Sequence, residues 1–172
     1  LENNPIHPKT SQPPTGDFIN KFNYLSSHFK SAISINIPRK LSGTLQSCEN
    51  AIKRVKDFKI TPIDSCSASV GLGLIVQSAS ELSNEIDNHD ELVSKIENLI
   101  VNTRMFIIVK DIRYAIKGGR VPKFKGIIAR VLNLHPILTT DNEGKLKAAS
   151  AVWGSKNLNE KLGKFAISEL ED

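Results

Sequence analysis

Cysteine is scarce. Cys48 and Cys66 are the only two in 172 residues, too far apart for a Cys-x-x-Cys redox or zinc pair and too few for a disulfide framework in a chain of this size. Free thiols of a cytoplasmic protein are the expectation. Histidine is as thinly spread: His7, His28, His89 and His135 show no metal-ligand spacing, and no cysteine joins them, so no metal or other resident cofactor is expected. Long apolar runs are missing, the longest being short ones such as Met105 to Val109, which excludes a membrane span of roughly 18 to 20 residues. No Gly-x-x-x-x-Gly-Lys-[Ser/Thr] string offers a P-loop, and no Gly-x-Ser-x-Gly elbow offers an activated serine. Gly71-Leu72-Gly73 lacks the third glycine of a dinucleotide fingerprint. The opening stretch carries Pro5, Pro8, Pro13 and Pro14 and no apolar core, unlike a signal peptide. With Leu1 first and Met105 the sole methionine, the sequence reads as an interior piece of a longer protein.

What is present is a balanced globular composition, 40% hydrophobic and 24% charged, long enough for one sizeable core or two small ones. The net charge of +5 matters less than its placement. Eight basic residues (Arg104, Lys110, Arg113, Lys117, Arg120, Lys123, Lys125 and Arg130) face a single acid, Asp111, between Arg104 and Arg130, whereas Glu81 to Glu97 holds six acids and only Lys95. Such asymmetry points to an anionic ligand or partner. Nucleic acid fits it poorly: aromatics make up 6%, and only Tyr114 and Phe124 interleave with the positive charges, a meagre stacking platform.

Periodicity gives the order of elements. Phe18, Ile19, Phe22 and Leu25 recur at helical spacing behind a cap at Thr15 or Asp17, predicting a helix over Thr15 to Phe29. Ile33, Ile35 and Ile37 alternate as in a strand, a helix begins near Ser42, and Phe58 to Ile63 reads as a second strand. Strand, crossover helix and strand within about 30 residues form a βαβ unit and hence a parallel sheet. Leu72, Ile75, Val76, Ala79 and Leu82 mark one helix, and Leu92, Ile96, Leu99 and Ile100 the next. Met105 to Val109 has the continuous apolar character of a strand buried on both faces. Short helices follow over Asp111 to Lys117 and around Ile127 to Leu132. A hairpin of Ile137 to Thr140 with Lys145 to Ala149 turns through Asn142-Glu143-Gly144, and a last helix uses Leu158, Leu162, Phe165 and Leu170. The fold class is α/β: a parallel-sheet domain over residues 1–110, then the start of a second, smaller α/β portion with a hairpin over residues 111–172.

Three hydroxyl-bearing turns stand where helices begin: Thr10-Ser11-Gln12-Pro13, Leu41-Ser42-Gly43-Thr44, and Asp64-Ser65 to Ser69. The last two fall at the carboxyl ends of parallel strands, where open α/β sheets bind ligands. Hydroxyls, free backbone N–H groups and a helix dipole together suit a carboxylate or phosphate, although any one such turn also serves as an ordinary helix cap. Lys117-Gly118-Gly119-Arg120-Val121 reads either as an arginine turned toward an anion or as a helix C-cap with a solvated charge.

In order and spacing, Thr10-Ser11-Gln12-Pro13, Leu41-Ser42-Gly43-Thr44-Leu45-Gln46-Ser47, Ile63-Asp64-Ser65 with Ala68-Ser69 and Gly71-Leu72-Gly73, Gly118-Gly119-Arg120-Val121 and Leu134-His135-Pro136-Ile137-Leu138 resemble the DegV family. These are bacterial fatty-acid-binding proteins, among them the binding subunit of fatty acid kinase. The resemblance implies a two-domain α/β protein that encloses a long acyl chain in an apolar tunnel between its domains. It maps the carboxylate donors to Thr10 and Ser42, with Arg120 nearby and Ser11, Gly43, Thr44, Ser65 and Ser69 close to the ligand. It further implies a non-enzymatic, cytoplasmic carrier: a separate ATP-binding kinase subunit phosphorylates the presented carboxylate for phospholipid synthesis, and a transient anionic membrane surface is a further partner. Nucleic acid is no partner. The family's opening strand and C-terminal histidine have no counterpart here, so the fold is expected to be incomplete at both ends. Pro14 stands where a serine is common, and Val152-Trp153-Gly154-Ser155-Lys156 replaces a stretch that usually carries arginines. Ile33, Ile35, Leu72, Ile75, Ile127, Ile128 and Leu132 are candidates for the tunnel wall and equally for plain core. The competing readings are an enzyme acting on a small anionic metabolite and a basic nucleic-acid-binding module, whose affinity would fall steeply with salt.

Overall fold

The structure is a computed structural model that describes residues 10–111, 118–120 and 133–171. It is mixed α/β and divides into two compact units, Thr10–Arg104 with Asn142–Lys145, and Met105–Asp141 with Leu146–Asp172.

The first unit runs α1 (Thr15–Ser26), β1 (Ser31–Asn36), α2 (Thr44–Ile52), β2 (Lys59–Asp64), α3 (Ser69–Leu82) and α4 (His89–Val101). β1 and β2 are parallel, in register from Ser31 opposite Lys59 to Asn36 opposite Asp64, as the βαβ pattern requires. Because side chains alternate across a strand, the two faces of this sheet pack against different helices. Ile33, Ile35 and Ile63 point one way, into a core with Ile75, Ala79 and Ile96 of α3 and α4. Ile60 points the other way, against Phe22, Cys48 and Ala51 of α1 and α2. Ile75 is 1% exposed, so Ile33, Ile35 and Ile75 hold the sheet to its helices as core.

Helix ends depart from the sequence expectation at α1. Its N-cap is Pro14, with no side-chain cap, and Asp17 lies in the first turn instead. The helix ends at Ser26, where the hydroxyls of Ser26 and Ser27 turn back to the carbonyls of Asn23 and Tyr24, both at 2.8 Å. α4 starts at His89, its N-cap Asn88 accepting the N–H groups of Asp90 and Glu91.

The second unit holds an antiparallel sheet in the order β3 (Ile107–Ile108), β4 (Leu134–Thr140), β5 (Leu146–Trp153), followed by α5 (Leu158–Glu171). The apolar run at Met105 to Val109 therefore pairs antiparallel with β4 and takes no part in the parallel sheet, and the compact units part between Arg104 and Met105. The β4–β5 hairpin forms as its sequence predicts, with a bulge where the partner shifts from Ser150 at Ile137 to Ala148 at Leu138. Phe106 meets Phe165 of α5 edge-on at 5.2 Å. The helix expected over Asp111 to Lys117, beyond Asp111 itself, and the one expected around Ile127 to Leu132 lie outside the described residues. Among the described residues no helix is long and apolar enough to cross a membrane.

Candidate functional site

The register that pairs Asn36 with Asp64 brings the two following loops together at the carboxyl end of the sheet. After β1, the carbonyl of Pro38 accepts the N–H groups of Leu41 at 2.9 Å and Ser42 at 3.1 Å, a tight turn that presents Ser42 at the entry to α2. The Ser42 hydroxyl lies 2.7 Å from that of Thr44 and accepts the Thr44 N–H at 3.3 Å. Gly43, the N-cap, supplies no side-chain acceptor to the first turn. Since the opening N–H groups of any helix have no partner within it, the pair of hydroxyls stands beside donors and the positive end of a dipole, an arrangement suited to a carboxylate.

The Thr10–Pro13 segment reaches this turn through Gln12. An ideal Cβ on Gly43 would lie 2.9 Å from Gln12 Cδ and 3.0 Å from its Nε2, so only a glycine lets the carboxamide sit so close. Thr10 and Ser11 are exposed, and Ser42, Gly43 and Thr44 are half-buried.

The loop after β2 is tied to the same turn by one carboxylate. Asp64 accepts the backbone N–H of Arg39 at Oδ2, 3.0 Å away, and that of Cys66 at Oδ1, 2.9 Å away. The Arg39 guanidinium in turn grips Glu49 of α2 with bonds of 3.0 and 2.5 Å, and this hydrogen bond holds the Glu49 carboxyl below its usual pKa. Ser65 is buried, and its hydroxyl staples the loop internally, donating to the Ser67 carbonyl at 2.8 Å and accepting the Ser67 N–H at 3.2 Å. Ser69 is exposed at the start of α3, with φ +52°. Ser67, 2% exposed, has a hydroxyl without a hydrogen-bond partner.

Arg120 belongs to the second unit. It is exposed and donates to the Gly118 carbonyl at 2.5 Å, beside Gly119 at φ +74°. The structure thus joins the Gln12, Ser42 and Asp64 segments into one cluster and describes Arg120 separately. Asp64, Gln12 and Ser67 carry much of the geometry without having been singled out as ligand residues in the sequence. Their role follows from register and packing, which a local motif does not display. Among the described residues no cluster of three histidine, cysteine or acidic side chains could hold a metal ion.

A family model described as "Uncharacterised protein, DegV family" matches residues 1–172. The chain belongs to the DegV family. A DegV domain-containing protein of Staphylococcus aureus is 38% identical over 139 residues, 81% of this chain and 49% of that protein. Among solved structures, a DegV-family protein from Thermus thermophilus described for its fatty-acid binding superposes with a TM-score of 0.82 at 30% identity, covering 94% of this chain and 57% of that one. A fatty-acid-binding DegV protein from Streptococcus agalactiae gives a TM-score of 0.83 at 27% identity, with 96% and 59% covered. The chain spans about half the length of the curated relatives it matches.

Proposed function

We propose that this DegV chain binds a long-chain fatty acid, with the hydroxyls of Thr10 and Ser42 donating to the carboxylate, Arg120 adding positive charge, and the acyl chain held in an apolar tunnel. The observation that carries this reading is the cluster at the carboxyl end of β1 and β2, where the Thr10–Pro13 segment meets the Ser42–Thr44 turn through Gln12 and Gly43. A carboxylate removed from water requires donors, because an unpaired buried charge is strongly unfavourable. This cluster concentrates hydroxyls and helix-start N–H groups at one place. Fatty-acid binding by the Thermus thermophilus and Streptococcus agalactiae relatives supports the choice of ligand.

In this proposal the chain is a carrier and performs no chemistry of its own. A separate ATP-binding kinase subunit phosphorylates the presented carboxylate toward phospholipid synthesis, in the cytoplasm, with transient contact to an anionic membrane surface. Organic extraction of natively purified protein followed by mass spectrometry tests it. A stoichiometric long-chain acid is expected, together with phosphorylation of that acid from ATP only when a kinase subunit is added. An extract without acyl acid, or turnover of ATP by the chain alone, would favour an enzyme acting on a small anionic metabolite.

A further inference from the structure

We propose that the turn Asn142–Lys145 is a clasp on the loops that follow β1 and β2, and that Gly144 is a positioning residue for Ser42. The inference rests on the carboxylate reading above for its functional part, and on geometry alone for its structural part.

Gly144 is buried and has φ +74°, the left-handed region that favours glycine. A Cβ there would lie 2.5 Å from Pro38 Cβ, 3.0 Å from Pro38 Cγ and 3.2 Å from Cys66 Cα. None of these atoms ends a flexible side chain: two belong to a proline ring that is under 2% exposed, and one is backbone. The same proline supplies the carbonyl that folds Leu41 and Ser42 into their turn. Pressure at Gly144 is therefore transmitted through one rigid residue to the Ser42 hydroxyl.

The neighbours of Gly144 engage the same two loops. Glu143 pairs with Lys40 at 3.6 Å, and the Cys66 thiol donates to the Asn142 carbonyl at 3.6 Å. Three consecutive residues of the turn thus touch Pro38, Lys40 and Cys66. Asp64 already links the two loops from within the sheet, and the turn closes on them a second time. Since packed interiors pass a displacement on instead of absorbing it, the clasp holds the distance between the Ser42 hydroxyl and a bound carboxylate.

The test uses the whole chain carrying Gly144→Ala, and in parallel Gly144→Asn, which tolerates the left-handed backbone but still introduces a Cβ. Gly154→Ala, at φ +78° at the far end of β5, controls for backbone strain without crowding of Pro38. Maleimide labelling is followed by mass spectrometry at Cys66 and at Cys48, which is 0% exposed, and palmitate affinity is measured by titration. Release of the clasp speeds Cys66 labelling by about tenfold in both Gly144 variants and leaves Cys48 protected, since local opening spares the rest of the fold. Palmitate affinity drops by about tenfold, and Gly154→Ala leaves Cys66 labelling unchanged. Adding Pro38→Gly to Gly144→Ala removes the colliding ring and recovers part of the affinity.

Unchanged Cys66 labelling overturns the proposal. So does palmitate affinity within about twofold of the parent in both Gly144 variants while Ser42→Ala weakens binding by more than about fivefold. Should the parent protein take up no palmitate, the carboxylate reading falls, whereas faster Cys66 labelling with Cys48 protected still supports the clasp.

Discussion

The carboxamide of Gln12 lies directly over Gly43, 2.9 Å from where a Cβ would stand. That contact joins residues thirty-one positions apart and places the Thr10 hydroxyl segment beside the Ser42 turn. Gly43 has an ordinary backbone, φ −73°, so the demand is for space alone. Gly43→Ser keeps a favoured N-cap residue but adds the Cβ, whereas Gly43→Ala adds the same atom and sacrifices cap preference. Both variants push the flexible, exposed end of Gln12 off Gly43 and are expected to bind palmitate several-fold more weakly because the Thr10–Pro13 segment loses this contact with the turn. Only Gly43→Ala should also lose about 1 kcal/mol of stability in a denaturant titration. Full affinity in both would show that Gln12 has no bearing on the site.

Asp64 gives each of its oxygens to a different loop, one to the Arg39 amide and one to the Cys66 amide. Asparagine offers a single carbonyl oxygen, so Asp64→Asn leaves one of those amides without its acceptor. A stability loss of about 1 to 2 kcal/mol is expected in chemical denaturation. A variant as stable as the parent would mean that water replaces the lost acceptor without penalty.

His89 bridges the two strands where they begin, with ring nitrogens 2.8 Å from the Ser31 hydroxyl and 2.7 Å from the Thr61 hydroxyl. Burial, aided by the nearby Lys59 and opposed by Asp90, lowers its pKa from the ordinary 6.5. The folded protein therefore binds a proton at His89 less readily than the unfolded chain. Its contribution to stability is fully present above pH 6.5 and is lost as pH falls below 6.5 through the lower folded value. Melting temperature should drop over that window, and His89→Gln, which cannot charge, should flatten this part of the curve. The Lys59–Asp90 pair, at 2.6 Å, also lowers the Asp90 pKa from 3.8, so its loss falls at more acidic pH and is separable. An equally steep decline in His89→Gln would assign the effect to other groups.

Much of the first unit was legible because its signals are local. Isoleucines at alternating positions of β1 do face α3 and α4, and the Asn142-Glu143-Gly144 turn does close a hairpin. The start of α4 was also written in the sequence, since Asn88 with Glu91 three residues on is a capping arrangement. Apolar periodicity alone marks this helix only from Leu92, three residues after its observed start at His89. Met105 to Val109 does contain a strand, but apolar character does not distinguish a parallel from an antiparallel neighbour, and β3 pairs antiparallel through only Ile107 and Ile108. The candidate site was legible as motifs but not as an assembly. The local sequence around Gly144 specifies a turn, and its contact with Pro38 arises only after the chain has folded back.

Titration of delipidated protein with carboxyl-labelled palmitate, observed by carbon NMR, tests the central claim most directly, because it reports on the headgroup itself. The parent should show one bound carboxylate resonance at one equivalent. In Ser42→Ala that resonance should shift, with affinity weaker by roughly 1 to 3 kcal/mol, the range for losing a hydrogen bond to a charged group. A bound signal and affinity identical to the parent's in Ser42→Ala would contradict the assignment of the carboxylate to this turn.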